Sequence, residues 1–260
     1  MFEKQDSAAK NGFGWRKDAG VSAASGEAAN PANAFVSADH GSRTAMATTF
    51  MNHVMGWMAA GLALSGAVAW AVTTTPAALQ WTAGMMLPLI IAELVLVIAL
   101  SATLRKLSPT VAAGMFLAYS ALNGATIGVI LTMYTAASVA NVFFVTAGTF
   151  TAMAFVGATT KRDLSKMGSF LMMGLIAIVI AMVVNLFIGS SALDFAVSAL
   201  GALIFTGLTA WDMQRFKKMG YSGFATKREA GQMAINGALQ LYLDFINLFL
   251  MLLRLMGDRR

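Results

Sequence analysis

The sequence predicts an all-α integral membrane protein of seven transmembrane helices, on three observations. Of its 260 residues, 58% are hydrophobic and only 12% charged, about half the charged share of an average soluble chain. That leaves too little polar material to cover a water-exposed globule. The apolar residues gather in continuous stretches close to the roughly 20 residues that a membrane helix needs. The lysines and arginines between those stretches fall in every second connection.

The first 45 residues precede any apolar run. They hold ten of the thirty charged residues (18 basic and 12 acidic in all) amid Ala, Gly, Ser and Asn. Such a composition cannot bury enough surface to fold, so 1–45 is read as a disordered tail and 46–260 as the transmembrane domain. The tail lacks the apolar core of a signal peptide, and Glu3, Asp6, Asp18 and Glu27 argue against a transit peptide. Spans are then expected at about 50–72, 84–104, 111–132, 139–160, 168–189, 193–214 and 232–256. Their runs are continuous rather than alternating, which selects helices over barrel strands. In the second span Pro88 lies five residues before Glu93 and is expected to kink the helix or open its ladder beside that acid. In the third, Gly124 and Gly128 allow close backbone approach, read as general bundle packing rather than a dimer face.

Orientation follows from the basic residues. Arg105 and Lys106 follow the second span, Lys161, Arg162 and Lys166 the fourth, and Arg215, Lys217, Lys218, Lys227 and Arg228 the sixth. The other three loops have none, and five more basic residues lie in the tail. Excess Lys and Arg mark cytoplasmic loops, so the N-terminus is expected in the cytoplasm. The net charge of +6 is therefore a topology signal, and no nucleic-acid partner is expected. Seven spans place Arg254, Arg259 and Arg260 outside, against that rule; the alternative is a re-entrant last segment with both ends inside. The absence of Cys and of a signal peptide fits a bacterial inner membrane, with an organelle membrane the alternative.

Three carboxylates lie within the spans: Glu93, Asp212 and Asp244. Charged residues at such depth are costly and ordinarily mark a pathway or proton relay. Asn236, Gln240, Asp244 and Asn247 fall on one narrow face of the last helix, which should look into the bundle. The competing reading is interhelical hydrogen-bonding, which suits the amides better than it suits Asp244. Asp212 lies three residues before Arg215, so a routine helix-end ion pair competes with a functional role, although Thr206 and Thr209 share its face. For Glu93 the competing reading is a protonated, hydrogen-bonded core residue.

Several segments resemble the Bax inhibitor-1 family of membrane proteins. LYLDFINLFLMLLRL (241–255) is similar to that family's last helix and AWDMQRFKK (210–218) to its sixth-helix motif. KRDLSKMGSFL (161–171), PLIIAELVLVIAL (88–100) and VMGWMAAGLALSG (54–66) fit as well, so the resemblance runs from about residue 43 to the end. It implies six helices wrapped around a central, polar seventh. It also implies a bacterial pH-sensitive calcium leak channel in which Asp212 and Asp244 share a hydrogen bond that senses pH. By the same resemblance Arg105 (or Lys106, one residue on) latches onto Asp212, and Glu93 lies on the ion path. The family's Tyr before the sixth-helix Asp is Trp211 here, which removes any role of that hydroxyl.

The chemistry is coherent. Two carboxyls within hydrogen-bond reach in low dielectric do not both ionise easily and hold one proton between them. Losing it leaves two like charges that must separate or recruit a cation, and Ca²⁺ prefers hard oxygen ligands. Asp212 and Asp244 are thus the expected pH gate and the calcium contacts, with Glu93, Asn236, Gln240 and Asn247 along the path. Ca²⁺ is expected as the permeant ion, with no resident cofactor, and the bilayer as the standing partner. An intramembrane aspartyl protease is disfavoured, because LYLD replaces its GxGD signature and no Pro follows Pro109. A zinc protease lacks ligands, and a retinal protein lacks a lysine in the last span. No enzyme is therefore expected. The remaining alternatives are a proton-coupled transporter and a regulator that modulates a membrane protease.

Overall fold

A computed structural model describes the backbone of residues 31–260 and the side chains from Gly41 onward; the compact unit is His40–Arg260. Its elements are α1 (Pro31–Thr74), α2 (Pro76–Gly84), α3 (Met86–Thr103), α4 (Pro109–Leu131), α5 (Ala136–Thr159), α6 (Ser165–Ile188), α7 (Ser191–Ser222) and α8 (Lys227–Met256). Among the described residues all of these except the nine-residue α2 are long and apolar enough to cross a membrane, giving the seven expected spans. Of the tail expected to be disordered over 1–45, residues 1–30 lie outside the described residues, while the backbone over 31–45 is helical as the start of α1, against that expectation. Helix α1 begins at Pro31, well upstream of the expected span start.

Local chemistry explains the boundaries. Ser108, Thr135, Ser190 and Thr226 cap α4, α5, α7 and α8, each side chain accepting a backbone N–H of the first turn. Thr226 accepts from Glu229 N at 3.0 Å while Glu229 Oε2 accepts from Ala225 N at 2.9 Å, a reciprocal clasp on the α8 start. Gly189 ends α6 with φ +66°, which a glycine adopts without a Cβ penalty. The expected kink at Glu93 is absent. Pro88 occupies the first turn of α3, where its missing N–H costs nothing, and the break falls at Met85, between α2 and α3. Helix α7 also runs eight residues past its expected end at 214, so Arg215, Lys217 and Lys218 are helical rather than loop residues.

The basic connections share one end. There Arg228 donates to the carbonyls of Lys106 and Leu107 at 3.2 Å each, and Gln232 donates to Leu107 O at 2.6 Å. Gln214 accepts from Leu164 N at 2.9 Å and donates to Arg162 O at 2.7 Å, fastening α7 to the α5–α6 loop. Lys218 pairs with Asp163 at 2.7 Å. This cation, with two hydrogen bonds from Ser165, holds the exposed Asp163 carboxyl down at about 2. The clasp therefore persists above that pH, and Asp163 contributes no titration near neutrality.

The last helix crosses fully and is not re-entrant. Its end reaches the opposite end of the bundle, where Thr135 N donates to Asp258 O at 3.0 Å and Arg260 N to Met133 O at 3.0 Å. Two of the three basic side chains that conflicted with the charge rule have local partners there. Arg254 lies 3.7 Å from Asp194, and Arg259 sits 6.0 Å from the Tyr134 ring centroid.

Helix α8 is the most enclosed span: 56% of its most apolar window is buried, against 39% or less elsewhere and 6% for α6. Its side chains meet α1, α4, α5 and α7, through contacts such as Phe245 with Phe150 and Val54 with Gly237. Small residues set the closest approaches. A Cβ at Gly124 would stand 2.5 Å from Ser65 O, and one at Gly128 3.1 Å from Ala69 O, so the paired glycines seat α4 on α1. Gly114, on the same helix, has nothing within 4 Å. Gly124→Ala is expected to lower stability in detergent by about 1–3 kcal/mol through overpacking, whereas Gly114→Ala leaves it unchanged or slightly raised. Thermal unfolding of the two variants side by side checks this.

Candidate functional site

The buried acids lie in two polar clusters, one on each side of α8. The first joins α7 to α8. Asp212 and Asp244 are both buried, and their side chains are hydrogen-bonded to each other. Carboxylates only accept, so this bond requires a proton on one of the pair. Each group keeps one buried oxygen, Asp212 Oδ1 and Asp244 Oδ2, without a hydrogen-bond partner.

The cation of the site comes from α7 itself. Arg215 Nη2 lies 3.2 Å from Asp212 Oδ1, an ion pair not aligned as a hydrogen bond, and the same nitrogen donates to Gln240 Oε1 on α8. The guanidinium is stacked 4.7 Å from the ring centroids of both Trp211 and Phe216. Trp211 thus serves as an aromatic wall behind the arginine, itself pressed against Gly168 of α6. Arg105, the expected latch, stands elsewhere: its side chain is exposed and its carbonyl accepts from Gln232 at 3.3 Å. Lys106 is likewise exposed, and its carbonyl receives Arg228. The physical reason is reach, since an arginine one turn along the same helix meets Asp212 without crossing the bundle.

The expected polar stripe on α8 is heterogeneous. Gln240 belongs to the aspartate cluster, but Asn247 returns its amide to Leu243 O of its own helix at 2.8 Å, and Asn236 is half-buried one turn before Gln240. Thr206 and Thr209 similarly donate to their own helix, at Ala202 O and Phe205 O.

Glu93 belongs to the second cluster. Asn123 Nδ2 donates to Glu93 Oε2 at 3.1 Å and Thr126 Oγ1 to Oε1 at 2.8 Å. Tyr242 O–H donates to Asn123 Oδ1 at 3.0 Å, and its oxygen lies 2.7 Å from Ser65 Oγ. Ser65 also reaches the carbonyls of Ser120 and Gly61 at 2.7 and 3.0 Å. Four helices, α1, α3, α4 and α8, therefore meet in one buried network. Tyr242 and Asp244 are two residues apart, about 200° around a helix, so α8 presents its two polar clusters on opposite faces. Asn123, Thr126, Tyr242 and Ser65 escaped sequence reading because single hydroxyls and amides are unremarkable in apolar helices. The only available signal was Glu93, which needs partners at its own depth.

The profile described as "Inhibitor of apoptosis-promoting Bax1" matches residues 47–260. The chain belongs to the Bax inhibitor-1 family. "Inner membrane protein YbhL" of Escherichia coli strain K12 is 49% identical over 218 residues, covering 82% of this chain and 92% of that one. Uncharacterised proteins of Deinococcus radiodurans and Borreliella burgdorferi are each 44% identical, over 211 and 214 residues, and both alignments cover 81% of this chain. They cover 91% and 92% of those proteins respectively. The family match stops short of the first 46 residues, so it coincides with the membrane domain.

Removing either member of the Asp212–Arg215 pair leaves the other half-compensated. A double-mutant cycle of Asp212→Asn with Arg215→Gln is expected to give a coupling of about 0.5–3 kcal/mol. A coupling of zero in urea or thermal unfolding contradicts the ion pair.

Proposed function

We propose that this protein is a pH-regulated calcium leak channel of the bacterial inner membrane, shut by the hydrogen bond between Asp212 and Asp244. The observation that carries the reading is that bond: two buried carboxyls from α7 and α8 in mutual contact, each with an unsatisfied oxygen. Placing such a pair between two helices has a consequence that packing alone does not require, because the contact depends on a proton. When pH rises and that proton leaves, two like charges face each other in a buried interface. The helices must part or a cation must enter.

Arg215 takes the latch role in this reading. Once both carboxyls ionise, it neutralises one of them and the other becomes the cation contact. Two carboxylates supply at most four oxygens, where a resident Ca²⁺ takes six to eight. Among the described residues no third His, Cys, Asp or Glu joins them, which favours transit over storage. The basic end carrying Lys106, Arg162 and Lys218 is assigned to the cytoplasm by the excess of Lys and Arg there. The YbhL relative's inner-membrane description and the seven apolar spans support the location. No catalytic chemistry is assigned to the chain.

Calcium flux into proteoliposomes tests this. Wild-type flux is expected to rise from acid to neutral pH. Asp244→Asn keeps a hydrogen-bond donor facing Asp212 but cannot titrate there, so its flux is expected to be flat with pH. Unchanged pH dependence in that variant contradicts the pair as the sensor, and stoichiometric proton counterflow would make the protein a carrier.

A further inference from the structure

On the other face of α8, a cavity of about 910 Å³ lies between α1, α4, α5 and α8. Its lining runs from Thr73, Thr132 and Arg260, at the end opposite the basic loops, past Ser65 to Ala59. Its walls are apolar, with Ala63, Ile127, Phe143 and Phe249 among them, and Ser65 is the polar group furthest from the mouth. Behind Ser65 stands Tyr242, and behind Tyr242 the Asn123–Glu93 pair.

We infer that Tyr242 is the closing residue of a second barrier: its hydroxyl, bridged to Ser65 and Asn123, seals the wall of this cavity at Ser65 against Glu93. The donors run in one direction. Tyr242 gives its hydroxyl proton to Asn123 and Asn123 gives an amide proton to Glu93, while the single Ser65 proton is shared among the Tyr242 oxygen and the carbonyls of Ser120 and Gly61. The tyrosine ring is wholly buried and clamped edge-on by Phe116 and Tyr119, with centroids 5.6 and 5.9 Å away. It therefore cannot swing aside without breaking both bonds. The titratable groups facing it are Glu93 and Tyr119. A hydrated cation entering from the cavity meets Ser65, then a phenol oxygen already committed to two partners, and only then the carboxylate. Removing that one oxygen leaves a gap about one water wide between Ser65 and Asn123. That gap is polar on both sides, which is the setting in which a buried water is stable. Water there would link the cavity to Glu93.

The inference deepens the leak-pathway reading and rests on it for its consequence, but its test does not. The chain has no cysteine, so single cysteines can be placed on a clean background. Ala63→Cys sits in the cavity wall and Thr126→Cys beyond the seal beside Glu93. In lipid nanodiscs a quaternary-ammonium methanethiosulfonate is expected to label Ala63→Cys readily and Thr126→Cys slowly. Adding Tyr242→Phe, which keeps the ring and deletes the hydroxyl, is expected to speed labelling at 126 by about tenfold, the shift that one hydrogen bond controls. Ser65→Ala should do the same by removing the other end of the bridge, and the two together should add nothing further. Fast labelling at 126 with the native tyrosine overturns the seal, as does a rate unmoved by Tyr242→Phe and by Ser65→Ala. Multiplying effects of the two substitutions overturn the bridge. Absence of calcium flux in the wild type would remove the leak reading alone, since the labelling rates report the barrier without any flux.

Discussion

Carboxyl groups on a membrane helix cannot face acyl chains cheaply, and that constraint organises this bundle. Helix α8 carries Asp244 and Gln240 on one side and Tyr242 on another, so it cannot lie at the lipid boundary. It is the most enclosed span, while α6, which carries no intramembrane acid, is 6% buried over its most apolar window. The close approaches at Gly124 and Gly128 follow from the same demand, since small residues let neighbouring helices close around a polar core.

Within that enclosure the two polar clusters solve different problems. The Glu93 network is satisfied at every named donor, through hydroxyls and amides from four helices. The Asp212–Asp244 cluster is not: two carboxyl oxygens and Arg215 Nε are buried without a hydrogen-bond partner, although Asp212 Oδ1 keeps its ion pair with Arg215. Incomplete satisfaction is costly in a purely structural interface. In the proposed function it is the state of a contact that comes apart when the proton leaves. Because α8 carries both clusters, the gating proposed at the aspartates would act on the helix that also carries Tyr242.

Much of this was legible in the chain. The seven apolar runs, the alternation of basic connections and the three intramembrane acids all follow from composition and spacing, and the conflict over Arg254, Arg259 and Arg260 resolves in favour of seven spans. What escaped were features set by three-dimensional proximity. Pro88 looked like a kink because the helix start at Met86 carried no signal: Met85, at the break, is as apolar as its neighbours. The family resemblance points to Arg105 as the partner of Asp212, whereas α7 continues past residue 214 and brings its own Arg215 to that carboxyl. Tyr242 was hidden in an apolar motif whose most conspicuous member, Asp244, points the other way.

Infrared difference spectroscopy of the membrane-embedded protein reads the central interaction most directly, because a protonated carboxyl and a carboxylate absorb separately. The account predicts a protonated-carboxyl band at acid pH that fades as pH rises and is missing from Asp244→Asn. A spectrum in which that band is absent from the wild type at every pH, or survives unchanged in Asp244→Asn, would contradict a proton shared between α7 and α8.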